Sequence, residues 1–203
     1  MAPTAARSMK VIDNAELQEV VDRQKIYDVL TRYCRALDRA DVELMKTVYW
    51  PDGYDEHGVF NGNAEEFAEF IVEEIQNWFE VTQHAICNVH MELDVDVAYT
   101  EAYLLAYHRV KGSTERIRDI FGPTYLAQLG IDPGQEGPQD FFYGGRYVDK
   151  LEKRDGEWRI KRRTVVMDWN QNLPTTSIWN EGMFKVLDIR GERGRGDPVY
   201  RRD

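Results

Sequence analysis

The chain has 203 residues, 42% of them hydrophobic, and two cysteines. That is enough apolar material to bury the core of one ordinary domain, so wholesale disorder is not expected. The net charge of −10 argues against nucleic acid or an anionic membrane surface as the main partner.

Residues 1–12 are expected to form a flexible lead-in. MAPTAARSMK has no long apolar run after its basic residues, so it does not read as a signal peptide. Asp13 or Asn14 can cap a first helix reaching about Arg39. Within it Tyr27, Leu30, Cys34 and Leu37 recur at helical spacing and predict an apolar stripe. Cys34 on that stripe reads as a buried free thiol, in a reducing, cytoplasmic setting. Asp41 can cap a short helix over about 41–49, which Trp50-Pro51-Asp52-Gly53 ends as a turn. A short strand is expected over 54–60. After an Asn-Gly-Asn turn, Asn63 caps a third helix with Phe67, Phe70, Ile71, Ile75 and Trp78 on its apolar side.

Beyond Trp78 the period becomes strand-like. Two long strands are predicted over 81–94 and 97–110, rich in residues such as Tyr99, Tyr103, Leu105 and Tyr107. Residues 111–139 carry Gly122-Pro123, Asp132-Pro133-Gly134 and Gly137-Pro138, and read as a long loop acting as a lid or an oligomer contact. Strands resume with FFYGGRYVDKLEKR. Asp155-Gly156 turns the chain into EWRIKRRTVVMDW. Residues 171–203 form a tail whose Trp179, Met183 and Phe184 fall outside the expected core and suit an oligomer contact. No stretch reaches the length of a membrane span. GERGRG in the tail follows no strand and opens no helix, so it is no phosphate loop. Three helices followed by long antiparallel strands predict an α+β domain over 13–170, a curved sheet with helices on one face and a pocket between.

Asp38 follows Cys34 by four residues, so its carboxylate meets partial desolvation and needs a partner. His84, near the start of a long strand, is the candidate. An aspartate that holds a histidine in one tautomer makes a general base at neutral pH. The competing reading pairs Asp38 with Arg35 or Arg39, and satisfies His84 within a core. By strict alternation Ile86, Asn88 and His90 would share the face of His84, making Asn88 a pocket hydrogen-bonder. A metal at His84 and His90 lacks a third ligand at suitable spacing, so no metal is expected. Tyr143, Gly145 and Tyr147 alternate and are candidates for the concave face or for ordinary core packing. His57 and His108 read as structural or exposed.

This order of elements, with an aspartate closing the first helix, a histidine opening a long strand and the hairpin RDGEWRIKRRTVVMDW, resembles the SnoaL-like branch of the nuclear-transport-factor-2-like superfamily. The resemblance covers about residues 14–170. That branch includes scytalone dehydratase, bile acid dehydratase and hexachlorocyclohexane dehydrochlorinase. It implies a cone-shaped, mostly antiparallel sheet packed against three N-terminal helices. It also implies a cofactor-independent lyase acting on a hydrophobic, cyclic small molecule, with His84 as base and Asp38 as its orienter. Tyr33, five residues before the aspartate, matches a tyrosine of the bile acid dehydratase, where the dehydrochlorinase has a lysine. Arg163, five residues after Trp158, matches an arginine of that dehydratase, with Arg162 as the alternative if the register slips. Tyr33 or Arg163 would support the leaving group. Tyr54 lies on a strand that lines the family's cavity. The resemblance further implies a homo-oligomer, a trimer or a dimer. Rival functions are an isomerase or polyketide cyclase using the same base, a non-catalytic small subunit of a ring-hydroxylating dioxygenase, and a pure ligand-binding module.

Overall fold

A computed structural model describes residues 13–202. The lead-in expected over 1–12 lies outside the described residues. The Asp13 carboxylate accepts from the Glu16 backbone N–H at 2.8 Å, and the Glu16 carboxylate accepts in return from the Asp13 N–H. This reciprocal cap opens helix α1 (Asn14–Arg39), which ends where Ala40 turns left-handed at φ 51°. Its buried stripe runs through Ile26, Val29, Leu30, Tyr33 and Leu37. Tyr27, expected in that stripe, sits at its edge and is 38% exposed.

Asp41 caps α2 (Val42–Lys46), which is shorter than expected because the chain enters β1 (Tyr49–Glu56) directly. The turn expected at 50–53 is instead a bulge inside this strand. The pairing of β1 with the last strand jumps from Tyr49 opposite Ile160 to Tyr54 opposite Arg162. Pro51 has no N–H to give the ladder, and a Cβ at Gly53 would lie 2.8 Å from the Trp50 carbonyl oxygen. On both sides of the bulge the buried residues of β1 are odd-numbered, Tyr49 before it and Asp55 after it.

Strand β2 (Asn61–Asn63) turns back on β1, and Asn63 caps α3 (Ala64–Trp78), whose Phe67, Ile71 and Ile75 are buried. The long strands are β3 (Phe79–Asp94), β4 (Val97–Val110), β5 (Gln139–Arg154) and β6 (Glu157–Pro174). Asp155 and Gly156, both at positive φ, make the tight turn between β5 and β6. The sheet has the order β2-β1-β6-β5-β4-β3. Among the described residues only β1 and β6 pair in parallel. The sheet is open, curved and mostly antiparallel, with the N-terminal helices on its concave face. Among the described residues no helix is long and apolar enough to cross a membrane.

Residues 111–139 are not a bare loop. Ser113 caps α4 (Thr114–Phe121), and α5 (Tyr125–Gln128) follows. Ile117, Ile120 and Phe121 supply a helical apolar spacing that the surrounding glycines and prolines mask. Phe121 packs on Tyr125 and Phe141, which fixes this segment to the end of the sheet.

The tail folds back toward the helices through short 3-10 turns. Arg193 donates to the Ile75 carbonyl, and the Tyr200 hydroxyl donates to Asp41. Met183 and Phe184 are exposed, while the Trp179 ring lies beneath the guanidinium groups of Arg109 and Arg190.

Candidate active site

Asp38 stands at the end of α1, where the apolar stripe meets β3. Its side chain is 10% exposed and that of His84 is 6% exposed. Both carboxylate oxygens are taken by one residue. Oδ1 lies 2.7 Å from His84 Nδ1, and Oδ2 accepts from the His84 backbone N–H at 3.0 Å. A carboxylate accepts, so Nδ1 carries the proton and Nε2 holds the free lone pair. The double contact fixes the ring as well as its tautomer.

His84 lines two cavities. The smaller, about 310 Å³, is formed with Tyr27, Cys34, Arg35, Asp38, Arg39 and Val199 of the tail. Burial pushes the Cys34 thiol up to about 12, so it is a protonated, inert neighbour. The larger, about 340 Å³, lies between the helices and the concave face of the sheet. Leu37, Ile71, Ile75 and Trp78 cover it, and Leu104, Ala106, Tyr143, Tyr147, Val165 and Met167 make its floor. It is mostly apolar with a few polar groups, the usual composition of a small-molecule site.

Two further histidines line this cavity. His108, expected to be structural or exposed, is 7% exposed and meets the His84 ring edge-on at 5.1 Å. The register explains its placement. Ala102, Leu104, Ala106 and His108 alternate inward, while Tyr99, Tyr103 and Leu105 stand on the outer, exposed face. Burial, and then the nearby His84, hold the His108 pKa well below its usual value, so the ring is neutral. The linkage has a definite sign. The unfolded chain binds a proton near pH 6.5 that the folded chain refuses, so this contribution to stability is full above that pH and lost below it. His108→Phe is therefore expected to flatten the fall in unfolding free energy between pH 7 and 5. The wild-type slope from this group has a ceiling of about 1.4 kcal/mol per pH unit. Urea titrations across that range check it, and equal slopes in the two proteins would contradict it.

His57 follows β1 and also lines the larger cavity, with its ring packed on Phe67. Its Nδ1 lies 3.3 Å from Oδ1 of Asp55, a fully buried carboxylate whose Oδ2 accepts from the Tyr49 hydroxyl at 2.5 Å. Sequence reasoning missed Asp55 because its neighbour Tyr54, which alternation puts on the opposite face, was assigned to the cavity.

The structure brings together His84, Asp38, Tyr143 and Tyr147 from the predicted set. Gly145 lies between the two tyrosines on the concave face, and a Cβ there would strike Val166 O at 2.2 Å and the Tyr143 ring at 2.5 Å. Tyr54 does not line the cavity. It faces outward beneath the Arg162 guanidinium, because its neighbour Asp55 shares the inward face of β1 with Tyr49. Asn88 and His90 are also exposed. A second bulge, between Ile86 and Val89, reverses the alternation of β3, so neither shares the face of His84.

Tyr33 and Arg163 do not reach the cavity either. Both are fully buried behind Tyr147. The Arg163 guanidinium is sandwiched between the Tyr33 and Tyr147 rings at 4.0 Å from each, and makes a two-pronged ion pair with Asp149 at 2.8 and 2.6 Å. Desolvation is the largest influence and works against that charge, but the charge and hydrogen bonds of Asp149 together with the nearby Tyr49 and Tyr33 keep the Arg163 pKa raised. Arg162 points outward to Glu56. The inward arginine is thus Arg163, as a core pin rather than a wall of the cavity. Among the described residues no group of three or more His, Cys, Asp or Glu side chains is gathered to hold a metal ion.

The SnoaL-like domain family matches residues 18–164. Among solved structures, a hexachlorocyclohexane dehydrochlorinase of type 3 from Novosphingobium barchaimii superposes with a TM-score of 0.62. It is 16% identical, and the match covers 80% of this chain and 97% of that one. A putative scytalone dehydratase from Novosphingobium aromaticivorans gives 0.58 at 20% identity, covering 79% and 91%. A putative aromatic ring hydroxylase from the same organism gives 0.58 at 17% identity, covering 77% and 94%. A comparison with curated proteins gives no significant match. At these identities the structural likenesses speak to the fold.

Proposed function

The chain belongs to the SnoaL-like family, and from that premise and the geometry of its cavity we propose that it is a cofactor-independent lyase. It acts on a hydrophobic cyclic molecule that carries an acidic C–H beside a hydroxyl or halide. One observation carries the reading: the Asp38 carboxylate holds His84 Nδ1 at 2.7 Å, so Nε2 is the basic nitrogen of a residue that lines an apolar cavity of about 340 Å³. A buried base facing apolar walls competes with little water for the substrate proton. Nε2 removes the proton α to an activating carbonyl, and Asp38 stabilises the imidazolium that forms. The electron pair forms the double bond as the β-substituent departs. His108, neutral and in ring contact with His84, adds a polar group on the same wall. The enzymes among the structural neighbours whose names state a dehydration or dehydrochlorination support the same reaction class.

The test is a panel of β-hydroxy and β-chloro cyclic ketones, from one ring to three fused rings. The expected result is formation of the conjugated enone from at least one member. A shifted double bond with the leaving group retained would point to an isomerase using the same base. Binding of panel members without any turnover would make this a ligand-binding module.

A further inference from the structure

The cavity holds a second histidine–aspartate pair that the base reading does not use. His84 is on β3 and His57 follows β1, and these strands belong to opposite sides of the sheet, separated by β4, β5 and β6. Both rings nevertheless line one cavity. A ring lying across its floor of Tyr143, Tyr147 and Val165 therefore has one histidine toward each end. The His57 end is also where Gly58 and Val59 are exposed, so a small product can leave there.

The pair is built, not incidental. Asp55 has no exposed surface, and its two oxygens are divided between the Tyr49 hydroxyl and His57 Nδ1. A carboxylate buried to that degree is costly unless a donor or cation faces it. Phe67 packs against the imidazole and limits its rotation. His57 Nδ1 is thereby directed at Asp55, which leaves Nε2 for the cavity. The two other donors considered for the leaving group, Tyr33 and Arg163, are shut behind Tyr147. His108 is held neutral by burial, which makes it a poor proton source.

We propose that His57, positioned by Asp55, is the general acid of this site and that the physiological leaving group is a hydroxyl. The inference rests on the reading of His84 as the base. In the step, His84 Nε2 takes the α-proton and the C–H electron pair becomes the carbon–carbon double bond. The C–O bond breaks, its electron pair stays on oxygen, and the His57 imidazolium gives that oxygen its Nε2 proton. Water leaves. His84 has gained one proton and His57 has lost one, and exchange with solvent resets both. A chloride departs as a stable anion and needs no such proton, so the two leaving groups should respond differently to loss of His57.

The experiment uses matched β-hydroxy and β-chloro cyclic ketones of the same ring system, with kcat/KM measured for the whole chain. His57→Gln and His57→Asn are expected to lower the hydroxy-to-chloro rate ratio by about 100-fold or more, the usual worth of a positioned acid. Asp55→Asn lowers the same ratio by less, and Asp55→Glu restores part of it. Because chloride elimination is followed in the same protein, a misfolded variant shows itself as loss of both rates. A ratio unchanged in both His57 variants, with folding intact by circular dichroism, overturns the acid role and leaves the base reading standing. A wild-type protein that eliminates from neither compound, or His84→Ala that still eliminates at the wild-type rate, overturns the base reading and this one with it.

Discussion

His84→Ala is expected to reduce enone formation by about 10²–10⁴-fold, the range associated with a positioned general base. The loss should fall on kcat more than on KM, since the apolar walls that hold the substrate are untouched. His84 keeps its backbone N–H at 3.0 Å from Asp38 after the substitution, so the carboxylate retains one donor and the fold should survive. Removing the Nδ1 partner still leaves a largely buried oxygen unpaired, at a cost of about 1–3 kcal/mol. Added imidazole can occupy the space vacated between the two cavities. Partial rescue of the rate by imidazole, following its free-base form, separates lost chemistry from lost structure. A variant with near-normal turnover would remove His84 from the mechanism.

Arg163→Met is expected to be the most destabilising single change near the site, by about 3–5 kcal/mol. The substitution keeps the volume but strips Asp149, fully buried, of its two-pronged partner. It also removes the cation stacked between Tyr33 and Tyr147. Arg163→Lys should recover little, because an ammonium cannot form both contacts or stack on two rings. The double variant Arg163→Met/Asp149→Leu should regain much of the loss, since neither charge is then left alone. Denaturant midpoints for the set check this. A single variant within about 1 kcal/mol of wild type would mean the pair contributes little to the core. Tyr147 is both one face of this sandwich and part of the cavity wall, so a loosened pin also changes pocket shape.

Much of the fold is legible in the order of the residues because local signals agree with the final packing. The Asp13–Glu16 cap, the Asn63 cap, the bounds of β4 and the Asp155-Gly156 turn all have short-range physical causes. Asp38 and His84 were legible for a different reason: a carboxylate at the inner end of an apolar helix needs a partner, and the histidine supplies one. The misplaced residues have two causes, broken strand alternation for Asn88 and His90 and family resemblance for Tyr54, Tyr33 and Arg163. Asn88 and His90 were placed by strict alternation, and the bulge between Ile86 and Val89 breaks it. That bulge shifts the inward face of β3 by one residue and sends Asn88 to solvent, whereas β1 keeps Tyr49 and Asp55 on its inward face with Tyr54 on the other. His108 could have been found, because the small residues Ala102 and Ala106 alternate with exposed tyrosines and put it on the inner face. Tyr33 and Arg163 match a family spacing, but spacing does not show that Tyr147 stands between them and the cavity. The helix over 114–121 was hidden by the turn-forming residues around it.

The central claim is that His84 removes a proton from carbon inside this cavity. It is tested most directly without any leaving group, by following α-hydrogen exchange of simple cyclic ketones, one to three fused rings, in deuterium oxide by proton NMR. The account predicts that the wild-type protein accelerates loss of the α-proton signal for at least one ketone, and that His84→Ala reduces exchange to the background rate. Wild-type exchange no faster than background across the series, or exchange undiminished in His84→Ala, would contradict it.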